Sequence, residues 1–283
     1  MALHPAPPTD VRGLIDAWRH TVQAVIDLGH SCHQADFERP TACPGWTVKD
    51  QISHIVGTEL WVGTGEVPQV QVPRYGHVRH EMGAFLEKAV EVRRARVGEV
   101  VVAELAQVFA MRITQYDRPG LSLDSPQLSP LGDRTLREVL TNRIMDVWCH
   151  EQDIRAALNR PGHLDSGAAA VFMSELWGKV PDLLVHADIP DEHAVIFDST
   201  GPVAGRVGAR IVHDEHGSPS AVPLFSGHGH TVHAGEHTTT ITLTTEAMTR
   251  RAAGRGDTDS IHYTVHGDPA IARRAMDALS FTP

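Results

Sequence analysis

The spacing of apolar residues changes character once along this chain, near Pro190, and that change limits the fold more than any single motif. Before it, apolar side chains recur every three or four residues, the period of a helix buried along one face. Residues 9–29 carry Leu14, Trp18, Val22, Val25 and Ile26 on one stripe. A second helix opens at Thr47, where Thr47 and Asp50 resemble a capping box with Asp in place of Glu, and runs to Val62. A long helical region spans 78–116, with a break expected near Gly98. A fourth helix starts near Thr135, with Glu138 three residues on, and ends before Asn159-Arg160-Pro161-Gly162. Residues 167–178 add one more. After Pro190 the runs AVIFDST and ARIVHD are short and β-branched, and TTTITLTT and IHYTVHG alternate with period two. The last of these leads into Asp268 as N-cap and Pro269 at the first helical position of a closing helix.

The pattern predicts a four-helix bundle over 1–165, a connecting helix and linker over 166–190, and a small C-terminal α+β domain over 191–283. Bundles of this kind build metal sites from side chains on facing helices. The segment DRPGLSLDSPQLSPLGD reads as a long irregular loop, a length that often marks a functional surface.

Composition excludes several function classes. A net charge of −10 without a basic cluster argues against nucleic-acid backbones. No apolar run approaches the roughly 20 residues of a membrane span. The opening MALHPAPPTD lacks a basic region followed by an apolar stretch, so no signal peptide is expected. Cys32, Cys43 and Cys149 are odd in number and unpaired in spacing, which fits reduced thiols in a cytoplasm. P-loop, nucleophile-elbow and H-E-x-x-H signatures are missing. The histidine-rich stretch 213–237 has irregular spacing and much Gly and Ser, so it reads as a flexible loop.

The informative segment is MDVWCHEQDIRAAL, residues 145–158. Asp146 and His150 lie four apart, on one face of a helix. Spacing leaves three readings open: a surface salt pair worth about 0.2–0.5 kcal/mol, a buried polar pair, or two ligands of one metal. Two ligands do not close a site, and the best third is His54, two turns into the second helix on the side of Trp61. Cys149 lies about 100° round the helix from His150 and reads as a small core residue. Arg143 and Asp153, one turn either side of the pair, are either supports for the ligands or solvated. Glu151 and Arg155 read as a structural i,i+4 pair.

The segment CPGWTVKDQISH, followed about 90 residues later by MDVWCHEQDIRAALNRPG, resembles the mycothiol-dependent maleylpyruvate isomerase family, DinB-like four-helix metalloenzymes of actinobacteria. The ending TVHGDPAIARRAMDAL resembles the family's C-terminal domain. The resemblance implies a divalent metal, zinc by family habit, on His54, Asp146 and His150, with Asp standing where the isomerase itself has Glu. It implies mycothiol as cofactor, and a catalytic arginine from the C-terminal domain for which Arg255, in AAGRGD, is the match.

Two imidazoles and one carboxylate leave a coordination position open, the mark of a catalytic zinc site. The expected function is therefore a metal-dependent S-transferase or cis-trans isomerase, using mycothiol as the nucleophile toward a small electrophile. A metal-dependent hydrolase and a non-enzymatic small-molecule-binding protein are the competing readings. Expected partners are the thiol and the electrophile, with no nucleic acid and no membrane, in a cytoplasmic monomer or homodimer.

Overall fold

The computed structural model describes residues 3–127, 132–225 and 237–281. The chain divides into two compact units, Pro8–Gly162 and Met1–Pro7 with His163–Pro283. No helix among the described residues is long and apolar enough to cross a membrane.

The first unit is helical. It comprises α1 (Val11–His30), the single turn α2 (Gln34–Phe37), α3 (Val48–Thr64), α4 (Glu81–Glu91), α5 (Gly98–Tyr116) and α6 (Leu136–Leu158). The two-residue strands β1 (Pro126–Gln127) and β2 (Arg134–Thr135) pair antiparallel just before α6, within and beside the segment read as a loop. The expected stripe of α1 is buried from Leu14 to Ile26 and packs on α5 and α6. Both expected capping boxes form: Thr47 with Asp50 opens α3, and Thr135 with Glu138 opens α6. Asn159 ends α6 in the left-handed conformation at φ 54°. The region 78–116 breaks over 92–97, beside the expected Gly98, and α5 starts at that glycine.

Charge pairing explains that break. Arg93 and Arg96 both reach Glu104 on α5, while Arg94 turns back to Asp50, Glu87 and Glu91. In a continuous helix Arg93 and Glu104, eleven residues apart, would stand about 16 Å apart along the axis, so their pairing needs the break.

Helix α3 lies at the centre, against α4, α5 and α6. Its approach to α4 is set by Gly57, where an added Cβ would lie 2.1 Å from the Cβ of Ala89. Gly57→Ala gains about 1 kcal/mol of helix propensity. Forcing a packed contact apart costs about 1–3 kcal/mol, so the clash should win. The expected outcome is a lower urea midpoint for Gly57→Ala, and a midpoint equal to or above wild type would contradict the packing described.

The second unit is α+β. Its elements are α7 (Gly167–Val185), β3 (Ala194–Thr200), β4 (Gly205–His213), β5 (Pro219–Pro223), β6 (Thr238–Thr244), α8 (Thr245–Ala252), a 3-10 turn (Thr258–Ser260), β7 (Thr264–His266) and α9 (Pro269–Ala278). The sheet order is β5-β4-β3-β6-β7, with β3 and β6 parallel and the other pairs antiparallel. The period-two reading of β6 holds residue by residue, with Thr239, Ile241 and Leu243 buried and their neighbours partly exposed. Asp268 caps α9 through Ala270 and Ile271, with Pro269 in its first turn. Helix α7, read from the sequence as a connection, runs to Val185 and packs on β4 and β5.

Candidate metal centre

Helices α3 and α6 bring three candidate ligands together. One ligand atom from each of His54, Asp146 and His150 lies within 4.8 Å of the others. No other such cluster is found among the described residues. His54 and His150 are buried, and Asp146 is half-buried. His54 Nε2 stands 3.4 Å from Asp146 Oδ1, and His150 Nε2 stands 3.6 Å from the same oxygen. These separations exceed the roughly 2.9 Å of a good N–H···O bond. They match the edge of roughly 3.4 Å between donors placed tetrahedrally at about 2.1 Å from one ion. The donor set, N, N and O on convergent side chains, suits a zinc-like divalent cation.

A buried arginine fixes the carboxylate. Arg143 Nη1 donates to Asp146 Oδ2 at 2.9 Å, its Nε to Glu59 Oε1 at 2.9 Å and its Nη2 to Thr58 Oγ1 at 2.8 Å. Asp146 Oδ2 is thereby engaged, although it too stands 3.4 Å from His54 Nε2, and Oδ1 is the oxygen near both imidazoles. Burial alone would raise the Asp146 carboxyl, but the Arg143 guanidinium, aided by His54 and His150, holds it well below the usual carboxylate range. Burial pushes the His54 imidazole below its ordinary value despite Asp146, which favours the neutral, ligating form.

On the far side of His150, its Nδ1 lies 3.8 Å from Asp153 Oδ2. Gln51 Nε2 donates to that oxygen at 3.3 Å. Arg143 and Asp153 are thus both buried beside the ligands rather than solvated.

Other residues singled out in the sequence fall elsewhere. Cys149 is half-exposed, so it is not the core residue expected. Glu151 is buried and joins helices, accepting from Thr21 Oγ1 on α1 at 2.6 Å and from Arg155 at 2.7 Å. Arg255 belongs to the second unit, half-buried just after α8. There Gly254 N bonds Arg251 O and Arg255 N bonds Arg250 O, the doubled closure of a Schellman motif, with Gly254 at φ 68°. The Arg255 Nη1 donates to Ala253 O at 2.8 Å. In the histidine-rich stretch, His213 stands 3.3 Å from Asp191, and residues 226–236 lie outside the described residues.

Two neighbours of the centre were given no role by the sequence reading: Glu59, which escaped it, and Trp46, which entered it only through the segment CPGWTVKDQISH. Glu59 anchors Arg143 from α3. Trp46 lies against both candidate ligand rings, at 5.0 Å from His54 and 5.8 Å from His150. Its signal was present: Pro44 and Gly45 occupy the centre of a turn closed by Trp46 N to Cys43 O, with Gly45 at φ 79°. Such a turn directly before a capped helix returns its last residue toward that helix.

Comparison with known proteins agrees with this architecture. The family model described as the mycothiol maleylpyruvate isomerase N-terminal domain matches residues 18–155. Two solved structures share the fold, each covering 92% of this chain and 94% of the other. They are the mycothiol-dependent maleylpyruvate isomerase, at 15% identity and TM-score 0.53, and a histidine-to-alanine variant of it, at 14% and 0.54. No curated protein matches the chain. The helical unit is thus similar to the N-terminal domain of mycothiol maleylpyruvate isomerase, and the chain shares the fold of that enzyme.

Proposed function

We propose that the protein is a metal-dependent enzyme that uses mycothiol as nucleophile, acting as an S-transferase or cis-trans isomerase on a small electrophile. The observation that carries this reading is the convergence of His54, Asp146 and His150 within 4.8 Å. The match of residues 18–155 to the mycothiol maleylpyruvate isomerase N-terminal domain supports the thiol-dependent chemistry. A divalent ion held by these three residues would supply the positive charge that lowers a thiol's pKa and favours thiolate at neutral pH.

The chain's own residues prepare the site. His54 and His150 offer ring nitrogens, and Asp146 offers Oδ1 while Arg143 engages Oδ2. In a transfer the sulfur–carbon conjugate is the product. In an isomerisation the adduct rotates about the former double bond and expels the thiol. Arg255 keeps the part implied by the resemblance alone, a cation for a carboxylate on substrate or thiol. The proposed setting is the cytoplasm.

No protein cysteine is needed. Cys32 is buried, and that burial, with Asp36 nearby, pushes its thiol up. Cys43 and Cys149 are half-exposed. A triple Cys-to-Ser variant should therefore keep most turnover of a model electrophile when metal and mycothiol are both present, and lose it when either is withheld. Turnover without thiol would turn the reading toward a hydrolase, with water activated at the open position. Loss of activity in Cys149→Ser with metal still bound would make that thiol a participant.

A further inference from the structure

A metal-binding histidine usually donates its outer N–H to a carboxylate, carbonyl or water, which fixes its tautomer and orientation. In this centre the outer nitrogens of both rings, His54 Nδ1 and His150 Nδ1, are buried with no hydrogen-bond partner among the described residues, and Asp153 Oδ2 stands 3.8 Å from that of His150. What meets the His54 ring is aromatic: Trp46 at 5.0 Å and 38°, and His150 at 4.6 Å and 65°.

We infer that Trp46 is a positioning residue of the metal centre, setting the His54 ring by packing where a hydrogen bond ordinarily sets it. The inference rests on the reading of His54, Asp146 and His150 as ligands.

Trp46 is held at both ends. Its carbonyl accepts from Thr41 N at 3.0 Å and Thr41 Oγ1 at 2.9 Å, which anchors the turn before α3. Its indole Nε1 donates to Glu87 Oε2 at 2.8 Å. Glu87 is 1% exposed and also meets Arg94 and, at 3.2 Å, His77 Nε2. Arg94 is fixed in turn by Asp50 Oδ2 and Glu91 Oε2, each at 3.1 Å. His77 packs on Gly45, where an added Cβ would lie 2.2 Å from the ring. A carboxylate held in such a network is not free to follow a moving indole. Swinging Trp46 off His54 would also break a hydrogen bond to a buried charge.

Cobalt(II) alone is the probe, because its visible absorption reports ligand geometry. Wild type, Trp46→Phe and Trp46→Ala are titrated with cobalt(II), with circular dichroism and thermal melts alongside. Losing an orienting partner typically weakens metal binding by about 10–100-fold. Trp46→Ala should fall in that range with a shifted cobalt band and helical dichroism intact. Trp46→Phe, which keeps an aromatic face without the N–H, should fall between it and wild type.

A lowered melting temperature in Trp46→Ala with cobalt affinity and spectrum unchanged would overturn the inference, leaving Trp46 a structural residue. Should that variant fail to fold, Trp46→Phe decides, and an unchanged spectrum and affinity there would overturn it equally. Failure of the underlying reading is separately visible. Wild type and His54→Ala taking up cobalt alike would remove the metal centre and the inference with it.

Discussion

Elemental analysis is expected to find about one divalent ion per chain in the wild-type protein, as for a single three-donor site, and little in purified His54→Ala or His150→Ala. Each variant deletes one of the three convergent donors, and the two that remain cannot hold an ion against water. Both should keep their helical circular dichroism. His54 and His150 sit inside helices whose starts are secured elsewhere, by Thr47 with Asp50 and by Thr135 with Glu138. Asp146→Ala is the less clean test, because it also strips the buried Arg143 of an acceptor. Full metal retention in both histidine variants would end the case for this centre and for the chemistry built on it.

The candidate donors were legible in the sequence only in part. Four-residue spacing places Asp146 and His150 on one face without choosing between a salt pair and two ligands, and it is the resemblance that singles them out as ligands together with His54 on the second helix. The helices were legible for similar reasons, since stripes such as Leu14 to Ile26 and caps such as Thr135 with Glu138 are local signals. What holds the donors in place was not legible. Trp46 and Glu87 are 41 residues apart, Glu59 and Arg112 are 53 apart, and Glu59 and Arg143 are 84 apart. Partners so distant leave no periodic trace, and a buried arginine reads in sequence like a solvated one. Helix α8 was legible only at its end, where Gly254 reads as a C-cap, because Thr245–Ala252 follows directly on β6 and is largely polar. Its start signal, Thr244 as N-cap, was there to be used.

Glu59→Ala should be among the most destabilising single substitutions in the protein, lowering unfolding free energy by about 3–5 kcal/mol, as removal of one partner from a buried ion pair does. Glu59 is fully buried on α3 and ties the four long helices of the first unit. Its Oε1 accepts from Trp18 Nε1 on α1 at 3.1 Å and from Arg143 Nε on α6 at 2.9 Å, and its Oε2 accepts from Arg112 Nε on α5 at 3.2 Å. Arg112 further bonds Tyr116, whose phenol burial pushes up to about 12. Alanine would leave two buried guanidiniums short of an acceptor, one of them the arginine that engages Asp146. Since whole-protein stability is typically about 5–15 kcal/mol, the loss is large enough to read directly in a urea melt. The pH dependence carries a definite sign. Burial alone would raise the Glu59 carboxyl, but Arg143 and Arg112 hold it below its ordinary value, so the folded state favours the charged form. Its contribution is therefore present at neutral pH and drains away as the pH falls through the carboxylate range. The wild-type advantage over Glu59→Ala should shrink on acidification. A difference under about 1 kcal/mol at neutral pH, the scale of an exposed pair, would mean the network does not hold the bundle together.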